Sequence, residues 1–128
     1  LAKDIMVTGS KMPMINEKKN FKQALKIMNQ KKLGIIVVTK NRFIKGLITD
    51  GDLRRVLNSS IKDRSLNKLT RSYPLVINEN MPATKALGLM SEKKITSLLV
   101  VSDRDINKKN KILKGIIHIH FLLKDGIK

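Results

Sequence analysis

A threonine and an aspartate three residues apart, Thr49 and Asp52, form the part of the sequence best suited to bind a small molecule. Thr49 is predicted to end a strand and Asp52 to begin a helix. A hydroxyl and the free backbone N–H groups of a helix N terminus suit a phosphate, and a carboxylate can accept hydrogen bonds from both hydroxyls of a ribose. The same spacing also describes a helix capping arrangement that needs no ligand. Both interpretations stay open at this point.

Further residues could complete such a site. Arg54 lies in the first turn of the same predicted helix, where a cation is unfavourable to the helix dipole. Its position indicates an anionic partner, either a ligand phosphate or a carboxylate of a neighbouring subunit, although a solvated helix face explains it too. Apolar walls for a base could come from four side chains: Met6, Met14, Ile35 and Ile36. Taken singly, each of these fits a hydrophobic core better than a pocket.

The chain that must position these residues repeats itself. Asn16–Glu17 recurs 62 residues later as Asn78–Glu79, and several positions of the segment that follows recur with the same spacing. The second half is about seven residues longer within a charged stretch, 102–114, which is predicted to be a long hairpin loop. The sequence therefore predicts two domains, 1–62 and 63–128. Each is too small to hold a good core alone, so we expect them to pack on each other as a pseudo-twofold pair.

Each half has the pattern of a β-α-β-β-α unit. A short strand follows a proline, and a helix follows the strand with apolar residues at helical spacing, as at Phe21, Ala24, Leu25 and Met28. Two apolar strands and a closing helix complete each half. The apolar strands are predicted at 34–39, 43–49, 97–102 and 112–118, and the closing helices at 52–58 and 121–124. This order predicts the α+β class, with small sheets covered by helices on one face.

Composition excludes several classes of protein and site. Without cysteine, the chain has no disulfide scaffold, thiolate zinc site or cysteine nucleophile. His118 and His120 could face one way at a strand end, but a metal site normally needs three or four protein ligands, so no metal site is predicted. The longest apolar run, 33–38, is far shorter than the roughly 20 residues that span a bilayer. We expect a cytoplasmic module without a membrane partner.

The net charge is +17, from 27 Lys and Arg against 10 Asp and Glu. Such a charge favours non-specific binding to nucleic acid. However, the basic residues are mostly lysines spread along the chain, and aromatic residues make up only 3%, which leaves no stacking platform for single strands. No specific nucleic-acid partner is predicted.

The end of the first repeat carries a recognisable motif. The run Gly46–Leu53 (Gly-Leu-Ile-Thr-Asp-Gly-Asp-Leu) and the doubled repeat resemble a tandem pair of CBS domains, the Bateman module, over essentially the whole chain. The form Thr49–Arg55 is similar to that of one CBS subset, the bacterial arabinose 5-phosphate isomerases of the sugar isomerase (SIS) family. Three further segments resemble the same subset: Asp4–Gly9, Leu33–Gly34 and His118–His120.

The resemblance implies that this pair comes from the C-terminal part of an enzyme with an N-terminal sugar isomerase domain. Such enzymes interconvert ribulose 5-phosphate and arabinose 5-phosphate for the synthesis of Kdo, a sugar of lipopolysaccharide. Their catalytic residues lie in the isomerase domain, so this chain is expected to contain no catalytic residue and to require no cofactor. Its expected ligand is an adenosine nucleotide or a nucleotide sugar such as CMP-Kdo, bound in the cleft between the repeats. A homodimer, and a tetramer of the parent enzyme, are also implied.

The second repeat departs from the motif. Phe121 stands where the alignment of the repeats expects an aspartate, and His118 stands at the threonine position. Without the carboxylate, ribose recognition there is expected to be weak. His118 could still bind a phosphate or a sugar carboxylate, and Thr96 and Ser97 could supply hydroxyls from the strand opposite. We therefore expect one competent or composite site, with the second site degenerate.

The sequence leaves three functions to distinguish. The favoured one is a regulatory, ligand-sensing and oligomerising CBS module. The alternative is a purely structural dimerisation module whose ligand clefts are degenerate, which Phe121 and the abundant lysines favour. A third function, nucleic-acid binding, depends on charge alone.

Overall fold

The computed structural model describes residues 1–60, 62–71 and 75–124, and only the backbone of residues 123 and 124. Residues 72–74 and 125–128 of the predicted second domain lie outside the described residues. In chain order the elements are α1 (Ala2–Ile5), a 3-10 turn (Gly9–Lys11), β1 (Met14–Asn16), α2 (Phe21–Lys31), β2 (Ile35–Lys40), β3 (Phe43–Thr49), α3 (Asp50–Leu57), α4 (Leu66–Leu69), β4 (Val76–Asn78), α5 (Ala83–Lys93), β5 (Ser97–Val101), β6 (Leu113–His118) and α6 (Ile119–Lys124).

The strands form two sheets of the same topology in the described part of the chain. Their orders are β1-β2-β3 and β4-β5-β6. In each sheet the first strand runs parallel to the second, and the second pairs antiparallel with the third as a hairpin. Both hairpins contain a register shift next to the glycine-paired residue, at Val38/Thr39 and at Val100/Val101. The predicted α+β class and the β-α-β-β-α order are confirmed, with strand ends within two residues of those predicted.

Local sequence signals explain where α2 begins and ends. The side chain of Asn20 accepts a hydrogen bond from the N–H of Gln23 at 2.9 Å, and the Gln23 side chain accepts one from the N–H of Asn20 at 3.0 Å. This reciprocal capping box satisfies two N–H groups that the helix leaves unpaired. At the other end Lys32 adopts the left-handed conformation, with φ of 58°, and closes the helix.

Each sheet packs its helices on one face. The core beside the first sheet is formed by ten buried residues: Ile15, Phe21, Ala24, Met28, Ile36, Val38, Ile48, Leu53, Val56 and Leu66. The core beside the second sheet is formed by Ala2, Ile77, Ala86, Met90, Leu98, Val100, Ile117 and Leu122. None of the helices in the described ranges has the length and apolarity required to cross a membrane.

The predicted long loop between β5 and β6 is organised by one buried carboxylate. Asp105 accepts a hydrogen bond from the N–H of Ile112 at 3.1 Å, and its own N–H donates to the side chain of Ser102 at 3.1 Å. The Ile112 N–H, helped by Lys108 and Arg104, lowers the pKa of Asp105. These bonds tie the two ends of a polar segment together and leave its lysines at the surface.

The packing divides the chain differently from the repeat boundary at residues 62 and 63. One compact unit consists of Pro13–Tyr73 and the other of Leu1–Met12 with Pro74–Lys128. We call residues 2–7 the first lead-in segment and residues 66–71 the second lead-in segment. Each begins with a short helix and precedes one repeat in the sequence, but packs with the sheet of the other repeat.

Backbone hydrogen bonds hold each lead-in segment at the edge of its sheet. Val7 exchanges two bonds with Ile116 of β6, at 2.8 and 3.0 Å. Arg71 exchanges two bonds with Leu47 of β3, at 2.7 and 3.1 Å. The lead-in segments therefore satisfy the free edges of the two hairpins, and this physical requirement moves the unit boundaries away from the sequence repeat.

Candidate functional site

The Thr49–Asp52 motif forms a capping box at the start of α3. The Thr49 hydroxyl accepts a hydrogen bond from the N–H of Asp52 at 3.1 Å, and the Asp52 carboxylate accepts one from the N–H of Thr49 at 3.0 Å. The Thr49–Asp52 spacing therefore does form the helix cap that was one of its two interpretations. Whether a ligand also binds there depends on the remaining acceptor capacity of the carboxylate.

Two arginines occupy the rest of the Asp52 carboxylate. Arg71 donates to it from Nε at 2.9 Å and from Nη2 at 2.7 Å, in the forked geometry that guanidinium groups favour. Arg55, one turn along α3, donates from Nη1 at 3.2 Å. The residue is 4% exposed, so the carboxylate is buried and paired on both oxygens. Sequence reasoning missed Arg71, because nothing in the spacing shows that the second lead-in segment returns to this helix.

These donors stabilise the ionised form of the carboxylate. The hydrogen bond from the Arg71 guanidinium, and then those from Thr49, hold the pKa of Asp52 well below its usual range, although burial acts in the opposite direction. Because the pKa in the folded state is below that of the unfolded chain, ionised Asp52 stabilises the fold above about pH 4. That contribution is lost progressively as the pH falls further.

We expect Asp52→Asn to lower the free energy of unfolding by about 1–2 kcal/mol at pH 7. The value is reduced from that of a fully buried pair because the Arg71 side chain is 58% exposed. The difference between the wild type and the variant should shrink below about pH 4, because there the carboxylate of the unfolded chain becomes protonated while that of the folded chain stays ionised. Urea unfolding at several pH values measures both effects.

The matched control is Asp50→Asn in the same helical turn. Asp50 pairs at 2.7 Å with Arg54, whose side chain is 73% exposed, so its loss should cost at most about 0.5 kcal/mol. Equal effects of the two substitutions would contradict a special role for the buried carboxylate.

The other residues predicted for the first site lie in different environments. Ile35 pairs across the hairpin with Thr49 and is half-buried, so these two remain neighbours. Ile36 is fully buried in the core, which assigns its side chain to packing rather than to a pocket wall. Met14 lines a separate cavity of about 180 Å³ beside α2. Arg54 pairs with Asp50 on the exposed face of α3.

In the second repeat His118 takes over the capping role of the threonine. It ends β6, is 3% exposed, and its Nδ1 accepts a hydrogen bond from the N–H of His120 at 3.2 Å. The two imidazole rings stack with their centroids 5.1 Å apart. Among the described residues no group of three or more His, Cys, Asp or Glu could hold a metal ion.

The strand opposite presents the two predicted hydroxyl residues differently. Ser97 is the cross-strand partner of His118, and its buried hydroxyl has no hydrogen-bond partner among the described residues. Thr96 is exposed, and its carbonyl accepts a hydrogen bond from the N–H of Ile119 at 3.0 Å, which positions the start of α6.

An open cavity of about 440 Å³ lies beside the first lead-in segment. Its lining is formed by Asp4, Ile5, Met6, Val7, Thr8, Gly9, Ser10, Lys11 and Phe121. Met6 therefore lines a cavity, although not one that contains Thr49 or Asp52, and it packs so closely on Gly115 that no Cβ fits there. The sequence treated Phe121 only as a lost carboxylate, whereas the structure places it in the wall of this cavity.

Two corresponding positions differ together between the repeats. In one unit Asp52 begins α3 and Arg71, at the sheet edge, pairs with it. In the other unit Phe121 replaces the aspartate and Val7 replaces the arginine at the equivalent edge position. The ion pair of one unit thus corresponds to two apolar side chains in the other. Neither unit therefore contains an isolated buried charge at these positions.

The family model of the CBS domain matches the chain twice, at residues 2–59 and 66–120. Both matches begin with a lead-in segment, so each CBS domain, as defined by sequence, contributes its first residues to the compact unit of the other.

Two curated relatives match nearly the whole chain. The uncharacterised protein RP505 of Rickettsia prowazekii is 38% identical over 98% of this chain. The arabinose 5-phosphate isomerase KdsD of Escherichia coli is 35% identical over 97% of it. In both cases the chain spans 37% of the length of the relative.

A solved structure confirms the fold. The CBS domain pair of protein MJ0100, in complex with 5′-methylthioadenosine and S-adenosyl-L-methionine, superimposes with a TM-score of 0.78. The match covers 98% of this chain and 94% of that one, at 17% identity. The predicted resemblance to a CBS pair, and to the matching segment of arabinose 5-phosphate isomerases, is confirmed. With the family model covering both repeats, the chain belongs to the CBS-domain family and carries two CBS domains in tandem.

Proposed function

We propose that this chain is the ligand-sensing and oligomerising module of an arabinose 5-phosphate isomerase, and that its ligand is an adenosine nucleotide. The parent would interconvert ribulose 5-phosphate and arabinose 5-phosphate in the cytoplasm, for lipopolysaccharide synthesis, and this module would form homodimers within it. The 35% identity to the isomerase KdsD supports the choice of parent. The observation that carries the ligand proposal is the cavity of about 440 Å³ beside the first lead-in segment.

The lining of this cavity suits a nucleotide. Its volume lies in the range of small-molecule sites, which combine an apolar wall with a few polar groups. Phe121 offers an aromatic face on which a base can stack, and Met6 adds an apolar, adaptable surface. Lys11 provides a cation for a phosphate, and Asp4 provides a carboxylate for ribose hydroxyls. In this proposal Phe121, which stands at the position of the aspartate, contacts the base by stacking instead of binding the ribose.

The choice of an adenosine compound has one further support. The MJ0100 pair, whose fold is similar, binds two ligands that share an adenosine group. We therefore use AMP as the first ligand to test and CMP-Kdo as the second. Regulation of the isomerase would require that the ligand bind two conformations of the parent with different affinity.

We expect AMP to bind the 128-residue chain, and Phe121→Leu to weaken this binding about tenfold, since base stacking on an aromatic ring contributes about 1–3 kcal/mol. Lys11→Gln should weaken the binding of AMP more than the binding of adenosine, because adenosine has no phosphate. Lys109→Gln removes the same charge from an exposed loop position and serves as the control. Isothermal titration calorimetry measures all four proteins.

Other outcomes are equally informative. Tighter binding of CMP-Kdo than of AMP, with the same dependence on Phe121, would keep the site and change the ligand class. Non-specific binding would be weak, would increase with the number of phosphates and would disappear in salt. If it also responded equally to both lysine substitutions, it would report only the net charge of +17.

The second candidate function is a purely structural dimerisation module. The arrangement at Asp52 favours it, because the carboxylate that could bind a ribose is already paired with two arginines and a backbone N–H. Absence of any nucleotide binding, together with a dimer in solution by light scattering, would support this function.

A further inference from the structure

The second lead-in segment is attached to its unit at several points along its length. Leu66 is buried in the core, and the side chain of Asn67 accepts a hydrogen bond from Lys45. Arg71 then pairs with Leu47 through two backbone hydrogen bonds. At Gly46 there is no room for a Cβ, because the carbonyl oxygen of Arg71 fills that space. The backbone of this segment is therefore held against β3.

The Arg71 side chain is held differently from the backbone. It is 58% exposed, so the guanidinium can leave the carboxylate without opening the core. Its hydrogen bonds nevertheless account for most of the capacity of Asp52. One carboxylate oxygen accepts from Arg71 Nη2 at 2.7 Å and from Arg55 at 3.2 Å, and the other accepts from Arg71 Nε at 2.9 Å and from the N–H of Thr49 at 3.0 Å.

A ribose diol would need the edge of the carboxylate that Arg71 covers. Each carboxylate oxygen offers about two acceptor sites, and the capping bond from Thr49 is part of the start of α3. The Arg71 fork is thus the partner that a pair of vicinal hydroxyls must replace. The other repeat has no such fork, since Val7 and Phe121 stand at the two positions and line an open cavity.

We propose that Arg71 is an internal latch that competes with vicinal-diol ligands for Asp52 and keeps the first repeat closed to nucleosides until the guanidinium is displaced. The two repeats therefore differ in function, with one open site and one latched site. This inference deepens the proposed function and depends on it.

The test compares AMP with 2′-deoxy-AMP, which lacks the vicinal diol. It is performed in a Phe121→Leu background, so that binding at the open cavity is reduced. Arg71→Gln should raise the affinity for AMP about tenfold, as expected if the latch contributes as much as a hydrogen bond to a charged group. It should leave 2′-deoxy-AMP unchanged. Asp52→Asn added to Arg71→Gln should abolish the gain.

Two variants control for charge and folding. Arg64→Gln removes the same charge two residues before the second lead-in segment, where the Arg64 guanidinium lies 5.3 Å from the ring centre of Phe21, and should not raise AMP affinity. Arg71→Lys keeps the charge but loses the fork, so it should show an intermediate gain. Circular dichroism of each variant verifies that it is folded.

The outcomes separate this inference from the proposed function. Wild-type binding of AMP that depends on Phe121, with no gain from Arg71→Gln, would overturn the latch and leave the open site intact. A gain that is equal for the two nucleotides would also overturn the latch. Binding that appears only after Arg71→Gln would support the latch and overturn the open cavity as the nucleotide site. No binding in any folded variant would overturn both.

Discussion

Gly46→Ala is expected to lower the free energy of unfolding by about 2–3 kcal/mol, the upper part of the range for overpacking a well-packed site. A Cβ at this position would collide with the carbonyl oxygen of Arg71 and would also lie 2.7 Å from the side chain of Thr70. A carbonyl oxygen cannot rotate away as a flexible side chain can. The substitution should therefore displace the second lead-in segment from β3. Guanidinium unfolding measures the loss.

Two other glycines provide matched controls. Gly88 lies on the exposed side of α5 with no atom near its Cβ position, so Gly88→Ala should stabilise the protein by about 0.5–1 kcal/mol. Gly115→Ala meets the side chain of Met6 instead of backbone, and should cost less than Gly46→Ala because methionine adapts. If Gly46→Ala changes stability as little as a surface substitution does, the lead-in segment is not packed against β3 as described.

Ile36→Ala is expected to have the largest effect of any substitution considered, a loss of about 3–4 kcal/mol of unfolding free energy. Ile36 is 0% exposed and lies among the core residues under the helices of its sheet. Removing three carbon atoms from such a position leaves a cavity that the surrounding side chains fill only in part. Should this variant not fold, Ile36→Val offers a smaller loss of about 1 kcal/mol.

The adjacent Ile35 is the control, because it belongs to the other face of the same strand and is half-buried. Ile35→Ala should cost about 1–2 kcal/mol, since less apolar surface is lost. Thermal or urea unfolding distinguishes the two. If the order were reversed, the face of β2 that carries Ile35 would stabilise the fold more than the face under the helices.

Much of the architecture follows from local pattern. The apolar periodicity of α2 predicts which side chains reach the core, and the Asn20–Gln23 pair marks where that helix begins. The alternation of buried and half-buried residues along β3 reflects the period of two that any half-covered strand shows. These signals lie within one element, so they can be interpreted without knowing what the element contacts.

The candidate site was predicted only in part. Thr49 and Asp52 were identified correctly as a helix start, because the capping box is formed by residues three positions apart. Ile36 was named as a possible pocket wall, although taken singly it fits a core better, because the sequence does not show which face of a buried strand carries the helices. For a strand such as β2, in which four consecutive residues are buried, both faces are apolar and periodicity gives no direction.

The sequence alone was sufficient to predict the repeat, the order of elements, the CBS resemblance and the Thr49–Asp52 start of the first closing helix. The folded chain was needed to show that each lead-in segment pairs with the sheet of the other repeat, and hence that Arg71 reaches Asp52 across 19 positions of sequence. The physical reason is that free strand edges accept any segment able to supply backbone hydrogen bonds. Which segment does so depends on packing of the complete chain, and no local pattern records it.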